Sequence, residues 1–203
     1  SGLIVPIGNW VLFHAAEILA GWLDPPLDQL TLSVNVSPRQ FRDVTLLENV
    51  ERIVSDRGLS PGRLRLEITE SSVMEQPDEA AQKLAAMAEL GITTAIDDFG
   101  TGYSSLGFLR LFSFQNIKLD KSFLDDYLLN RSSRRIVGAV VDMATAIGVG
   151  VIAEGVESAE QAVALASGGV TQMQGFVFGR PMPASEFARR LPEFSGTLIA
   201  NTN

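Results

Sequence analysis

Acidic, amide and lysine side chains end six apolar runs of the sequence, and their types are suited to binding divalent metal ions. These residues are Asn35, Glu67, Asp97, Asp98, Lys118, Asp120, Glu154 and Gln174. Adjacent carboxylates such as Asp97 and Asp98 repel each other and are costly to bury, so a cation is expected to compensate them. Four of these residues are the carboxylates Glu67, Asp97, Asp98 and Glu154. Together with the Asn35 amide, they could hold one or two octahedral Mg²⁺ ions.

Such a ligand set suits the hydrolysis of a phosphodiester. Two metal ions about 3.5–4 Å apart, bridged by a shared aspartate, could activate a water and stabilise the leaving oxygen. Lys118 would hold the attacking water or neutralise developing phosphate charge. The chain has one histidine, His14, and no cysteine, which excludes a thiolate or multi-histidine metal site and favours Mg²⁺ or Mn²⁺.

The elements that must position these residues alternate between strand and helix. Strands are expected at 30–37, 64–69, 93–100, 115–120, 148–156 and 173–179, and helices at 6–22, 46–57, 78–90, 132–147, 159–167 and 185–190. Each strand is a nearly continuous apolar run, which is typical of parallel strands buried on both faces. The pattern predicts an α/β fold of the TIM-like (β/α) barrel type, in which polar residues at the C-terminal strand ends form the catalytic face.

Length and composition restrict the class of function. With 203 residues and 46% hydrophobic residues, the chain can form one domain with a substantial core. The net charge of −8 argues against a surface for nucleic acid polymers, although divalent cations could still connect the protein to a phosphorylated substrate. The apolar stretch 10–23 contains a histidine and a glutamate and is too short to span a bilayer, so a buried helix without membrane insertion is expected. The lack of cysteine fits a reducing compartment.

Six short motifs, in this order and spacing, resemble the EAL family of cyclic di-GMP phosphodiesterases. They are VNVSPRQF, LEITES, IDDFGTGYSSL, IKLDKSF, VIAEGVES and QGFVFGRPMP, within a match from about Ser1 to Pro183. The resemblance implies a bacterial signalling domain that hydrolyses cyclic di-GMP to linear pGpG with two Mg²⁺ or Mn²⁺ ions. It also implies a homodimer, an upstream sensor or GGDEF (diguanylate cyclase) domain, and a cytoplasmic location, either free or as the cytoplasmic part of a membrane-attached protein.

The resemblance also assigns roles residue by residue. The implied metal ligands are Asn35, Glu67, Asp97, Asp98 and Glu154, and the implied catalytic residues are Lys118, Glu154 and Asp98. The implied substrate-binding or supporting residues are Asp120, Gln174, Glu157 and Glu70, of which Glu70 anchors the loop after the aspartate pair. That loop comprises Phe99, Gly100, Thr101, Gly102, Tyr103, Ser104 and Ser105, and in the family it links ligand binding to dimerisation.

The Glu-Ala-Leu motif that names the family is not in the chain. It would lie upstream of SGLIVPIGNWVL, together with the first two barrel strands. The chain is therefore expected to be a single EAL-type domain, residues 1–203, incomplete at its N-terminus and with a frayed tail at 193–203. Loss of two strands and of one ligand would expose sheet edges and weaken metal binding by these residues alone.

Other interpretations stay open. The aspartate pair could be a strand-end Asx turn, Lys118 could be a structural ion-pair partner of Glu154 or Asp97, and Asn35 and Gln174 could satisfy backbone groups. The chain could also be a catalytically inactive receptor that binds cyclic di-GMP. An enolase-like, proton-abstracting barrel enzyme would share the carboxylates and the lysine, but it does not account for the DDFGTGYSSL and QGFVFGRPMP motifs.

Overall fold

The computed structural model describes residues 2–100 and 110–194, in which helices alternate with strands. The elements are α1 (Ile4–Gly21), β1 (Leu32–Val36), α2 (Pro38–Arg42), α3 (Leu46–Arg57), β2 (Leu64–Thr69), α4 (Glu70–Glu75), α5 (Pro77–Glu89), β3 (Thr93–Phe99), β4 (Asn116–Leu119), α6 (Arg131–Ile147), β5 (Gly150–Glu154), α7 (Ala159–Ser167), β6 (Gln172–Gln174) and α8 (Ala184–Phe194). The described residues fall into unit 1, within Ser1–Lys118 and Ile147–Val149, and unit 2, within Leu119–Ala146 and Gly150–Asn203.

The strands of unit 1 lie side by side in chain order. β1 pairs with β2, and β2 with β3, in parallel, and β4 is the next neighbour of β3. Gln115 determines where β4 begins, because its backbone N–H donates to the Thr94 carbonyl over 3.0 Å and its side-chain oxygen accepts from the Thr94 N–H over 2.7 Å. The carboxyl ends of β1, β2 and β3 therefore meet at one edge of the sheet.

Apolar strand residues and the inner faces of the helices form the core of unit 1. Its largest fully buried side chains are Leu12, Leu19, Leu46, Ile53, Leu64, Leu66, Ile68, Leu84, Met87, Ile96 and Ile117. β2 and β4 are largely buried on both faces, as the continuous apolar runs predicted, and even Glu67 in β2 and Lys118 in β4 are buried. β1 departs from this prediction, because its alternate residues Ser33 and Asn35 are exposed.

Helix α1 is buried along one side and differs from the expected buried helix. Its buried residues are Leu12, Ala15, Ala16 and Leu19. Its N-terminal half exposes a second apolar face, and Trp10 is 65% exposed. Among the described residues, α1 is the one helix whose length and composition alone would allow it to cross a membrane.

Local sequence signals set several helix ends. Ser37 precedes α2 and accepts the Gln40 backbone N–H, with a proline at the first helical position. After α3 the chain turns at Gly58 with φ 57°, and after α5 it turns at Gly91 with φ 77°. Glycine enters this left-handed region without the cost that a Cβ imposes, so both helices stop close to the predicted bounds.

Unit 2 contains the parallel pair β5 and β6 with helices α6, α7 and α8. The sixth strand was predicted over 173–179, but β6 ends at Gln174 because the chain turns at Gly175. A Cβ at Gly175 would lie 2.0 Å from the Val156 carbonyl oxygen, and the Phe178 N–H donates back to the Gly175 carbonyl over 3.1 Å.

The C-terminal helix is longer than predicted. α8 extends from Ala184 to Phe194, beyond the expected end at residue 190. Residues 193 and 194 are therefore helical rather than part of a frayed tail, and the rest of the expected tail, 195–203, lies outside the described residues.

Candidate functional site

Three ionisable side chains meet at the carboxyl ends of neighbouring strands in unit 1. The Lys118 ammonium donates to Glu67 Oε2 and lies 3.1 Å from Asp97 Oδ1. We call these three residues the carboxylate–lysine cluster. Glu67, Asp97 and Lys118 belong to three different strands, so strand register rather than nearness in sequence brings them together.

The carboxylate–lysine cluster is buried. The side chain of Lys118 is 3% exposed, that of Glu67 6% and that of Asp97 13%. Removing a charge from water costs roughly several kcal/mol per ion unless a partner compensates it. This cost rises as the burial of the ion becomes more complete. One ammonium between two carboxylates leaves a formal charge of −1 on these three residues, and the Arg65 guanidinium, on the same strand as Glu67, also interacts electrostatically with Glu67.

Strand register places Asn35 on the same side of the sheet as the cluster. Asn35 pairs with Glu67 across β1 and β2, and paired residues of parallel strands point to the same face. Glu67 pairs in turn with Ala95, and Asp97 lies two residues further along β3, again on that face. Asn35 is exposed and belongs to β1, the first strand in the order of the sheet.

Asp98 differs from its neighbour in exposure and in backbone conformation. It is exposed, and its φ of 54° is the one positive φ found at a non-glycine residue in the described chain. Aspartate is one of the few residues with a Cβ that tolerate this left-handed region. The Asp98 N–H donates to Asp97 Oδ1 over 3.0 Å. The two adjacent carboxylates thus have different surroundings.

Glu70 is joined to the segment that follows the aspartate pair. It is the first residue of α4, directly after β2, and is 3% exposed. Its Oε2 accepts the Gly100 N–H over 2.8 Å. Phe99, the last residue of β3, is buried. The remainder of the expected loop, Thr101–Ser105, lies outside the described residues.

In unit 2, two of the expected site residues occupy neighbouring strand ends. Glu154 ends β5, Gln174 ends β6, and the two are paired in register. Their side chains therefore point to the same face of this strand pair. Glu154 is half-buried and Gln174 is exposed.

Asp120 and Glu157 both have local partners in unit 2. Asp120 caps the 3₁₀ helix Lys121–Phe123, and its hydrogen bonds from Ser122 hold the pKa of the carboxyl below its usual value. Glu157 Oε1 accepts a hydrogen bond from Lys121 Nζ over 2.5 Å, and this bond, followed by the charge of the carboxylate, raises the pKa of Lys121. Both of these acids therefore contribute to local structure.

The donor atoms fit a divalent cation in type. Carboxylate and amide oxygens are preferred ligands of Mg²⁺ and Mn²⁺, and the Lys118 ammonium demonstrates that a cation is accommodated between Glu67 and Asp97. Over residues 2–100 and 110–194, however, no three acidic or histidine side chains are close enough together to hold a metal ion. A metal ion bound at the cluster would have to share or displace the contacts of Lys118.

Lys121 and Gln161 were not predicted as site residues, but both contact the loop that contains Glu157. Lys121 pairs with Glu157, and Gln161 accepts the Glu157 backbone N–H over 3.0 Å. The spacing Ser158-x-x-Gln161 is the signature of a capping box, which could have indicated the role of Gln161 at the start of α7.

Comparison with known proteins finds close relatives over almost the whole chain. The EAL domain family matches residues 1–181. Cyclic di-GMP phosphodiesterase PdeR of Escherichia coli strain K12 is 39% identical over 93% of the chain and 28% of its own length. The bifunctional diguanylate cyclase/cyclic di-GMP phosphodiesterase MucR of Pseudomonas aeruginosa is 37% identical over 92% of the chain and 27% of its own length. The chain thus spans about a quarter of each of these relatives.

Comparison of the fold with solved structures identifies the same family of proteins. A structure described as the PaMucR phosphodiesterase in complex with c-di-GMP superposes with a TM-score of 0.86 and 36% identity, over 92% of the chain and 81% of that structure. This likeness confirms the α/β, TIM-like fold class that the strand–helix alternation predicted. Sequence and fold agree, and the chain belongs to the EAL domain family.

Proposed function

We propose that this chain is the phosphodiesterase domain of a longer signalling protein and that it hydrolyses cyclic di-GMP to linear pGpG. The observation that carries the proposal is the buried carboxylate–lysine cluster, at the strand ends of a chain that belongs to the EAL family. Burying three ionisable groups costs more stability than apolar residues would, so a binding or catalytic role is the simplest reason for the cluster.

The proposed ligand set comprises Asn35, Glu67, Asp97, Asp98 and Glu154, and the proposed cofactor is a pair of Mg²⁺ or Mn²⁺ ions. When bound, the ions would supply a polarised water and neutralise charge on the phosphodiester. Lys118 would keep an ammonium next to the reacting phosphate, where it favours developing negative charge. Gln174, Asp120 and Glu157 would support the substrate, and Glu70 would hold the loop that begins at Phe99.

Hydrolysis of cyclic di-GMP by the full-length protein with Mg²⁺ or Mn²⁺ is the direct test, with the product identified by mass spectrometry. We expect Asp97→Asn and Glu154→Gln to lower the rate by at least about 100-fold, a common result of removing a charge-stabilising group. Asp142→Asn is the matched control, because Asp142 is an exposed carboxylate on α6. Full activity in the Asp97 and Glu154 variants would contradict the proposed ligand set.

A receptor that binds cyclic di-GMP without hydrolysing it is the second candidate. It is favoured by the contacts of Lys118 with both Glu67 and Asp97, which occupy oxygens that a metal ion needs. Calorimetric binding of cyclic di-GMP by the full-length protein, without turnover at any Mg²⁺ or Mn²⁺ concentration, would establish the receptor and overturn the phosphodiesterase proposal.

The wider context is proposed on the same family basis. We propose a homodimer, a sensor or GGDEF domain elsewhere in the longer protein, and a cytoplasmic location. The relative MucR, which is described as bifunctional, supports the linked cyclase domain.

A further inference from the structure

One glutamine side chain joins two strand-end segments of unit 2. Gln161 Nε2 donates to the Leu124 carbonyl over 2.9 Å, and Gln161 Oε1 accepts the Glu157 N–H over 3.0 Å. Leu124 belongs to the segment after β4, and Glu157 to the loop after β5. Both ends of the Gln161 amide are therefore used, one on each segment.

The hydrogen bond from Gln161 Nε2 to the Leu124 carbonyl is not needed to begin helix α7. Ser158 Oγ accepts the Gln161 backbone N–H over 3.1 Å, and the Gln161 side chain turns back past Ser158 to the Glu157 N–H. These two bonds are a variant of the capping box, which is complete within the loop and the first turn of α7. The bond to Leu124 reaches 37 residues along the chain and holds the loop to another element.

A second contact joins the same two segments. Gly155 has φ 71°, and a Cβ at this position would lie 2.8 Å from Lys121 Cγ. The stem of Lys121 therefore lies against the Gly155 backbone, while its ammonium reaches Glu157 further along the loop. An exposed ion pair of this kind contributes little to stability, so its main effect is on the position of the loop.

Glu154 is the expected site residue that lies next to these contacts in the chain. It ends β5, directly before Gly155, and the loop held by Gln161 begins immediately after it. We propose that Gln161 is a positioning residue for Glu154, acting through the loop rather than by touching metal or substrate. The inference rests on the proposed function, in which Glu154 is a metal ligand.

The test is Mn²⁺ binding by the full-length protein, measured by calorimetry, for the variants Gln161→Glu and Ser158→Ala. Glutamate keeps the acceptor for the Glu157 N–H and thus the capping box, but it cannot donate to the Leu124 carbonyl. We expect Gln161→Glu to weaken Mn²⁺ binding about 10- to 100-fold, as is typical when a group that orients a metal ligand is lost. The added negative charge acts in the opposite direction, so it cannot produce this weakening.

Ser158→Ala is the matched control, because it removes the helix cap and leaves both side-chain bonds of Gln161. We expect it to lower the melting temperature without changing Mn²⁺ affinity, and we expect the activity of Gln161→Glu to recover at saturating Mn²⁺. If Gln161→Glu and Gln161→Ala both bound Mn²⁺ with wild-type affinity, the inference about Gln161 would be overturned. The proposed function would not be affected by that result. Failure of the wild-type protein to bind Mn²⁺ would overturn the proposed function and the inference with it.

Discussion

Lys118 compensates one carboxylate of the aspartate pair directly. Its ammonium contacts Asp97 and also Glu67, whereas Asp98 is exposed. A buried lysine compensates Asp97, whereas Asp98 is in contact with water, so the two adjacent charges have different surroundings. Compensation by metal ions stays a prediction, and it would act on a cluster that already contains one cation.

Removal of the Lys118 ammonium should destabilise the fold. In Lys118→Met the stem length is retained, but Glu67 and Asp97 lose the ammonium that contacts both of them. We expect the free energy of unfolding to fall by about 3–5 kcal/mol, as is typical when one partner of a buried charge cluster is removed. Urea unfolding in the presence of a chelator measures this loss.

The matched control for this substitution is Arg57→Met. Arg57 Nη2 lies 2.8 Å from Glu17 Oε1, but the two side chains are 40% and 51% exposed. Exposed pairs contribute about 0–1 kcal/mol, so the control should unfold close to the wild-type midpoint. If Lys118→Met and Arg57→Met lost the same free energy of unfolding, the buried carboxylate–lysine cluster would be no more sensitive to loss of its cation than an exposed ion pair.

At the scale of elements, glycine turns place the strands that follow the helices. Gly58 and Gly91 both have left-handed backbones, but their surroundings differ. A Cβ at Gly58 would meet nothing within 4 Å, whereas a Cβ at Gly91 would lie 3.0 Å from Pro61 Cβ. Gly91 also accepts the Gly62 N–H over 2.8 Å, so this turn connects the approaches to β2 and β3.

These two glycines provide a matched pair of substitutions. Gly58→Ala should cost about 1–2 kcal/mol, which is the cost of holding an L-residue in the left-handed region. Gly91→Ala should cost more, because the contact with Pro61 adds to the same backbone strain. Thermal unfolding of both variants tests the ranking, and a larger loss at Gly58 would contradict it.

At the scale of the whole molecule, metal binding should appear as added stability. If the ligand set binds Mn²⁺ in the folded state, the free energy of unfolding rises by about 2.7 kcal/mol at a free concentration of 100 times Kd. Calorimetric melting with and without Mn²⁺ should therefore show a rise in Tm for the wild-type protein. Glu67→Gln should abolish the rise, because the amide cannot supply an anionic ligand. Asp142→Asn should keep it, and the same rise in both variants would place Mn²⁺ elsewhere.

Local patterns in the sequence determined most of the element order. Apolar runs marked the strands, and caps and glycines marked helix ends, so α3, β2 and α7 lie where they were predicted. These signals are read over a few residues, and they therefore miss features that depend on packing. The early end of β6 is one such feature, because it follows from the close approach of Gly175 to the backbone of Val156.

The sequence by itself also determined which residue types stand at the strand ends and their resemblance to the EAL family. The tertiary structure decided which of these residues meet. Lys118 is 51 residues from Glu67, and strand register brings the two into contact. The contact of Gln161 with Leu124 likewise spans 37 residues. Both contacts depend on pairing and packing between distant segments, which the spacing of apolar residues within a single segment does not specify.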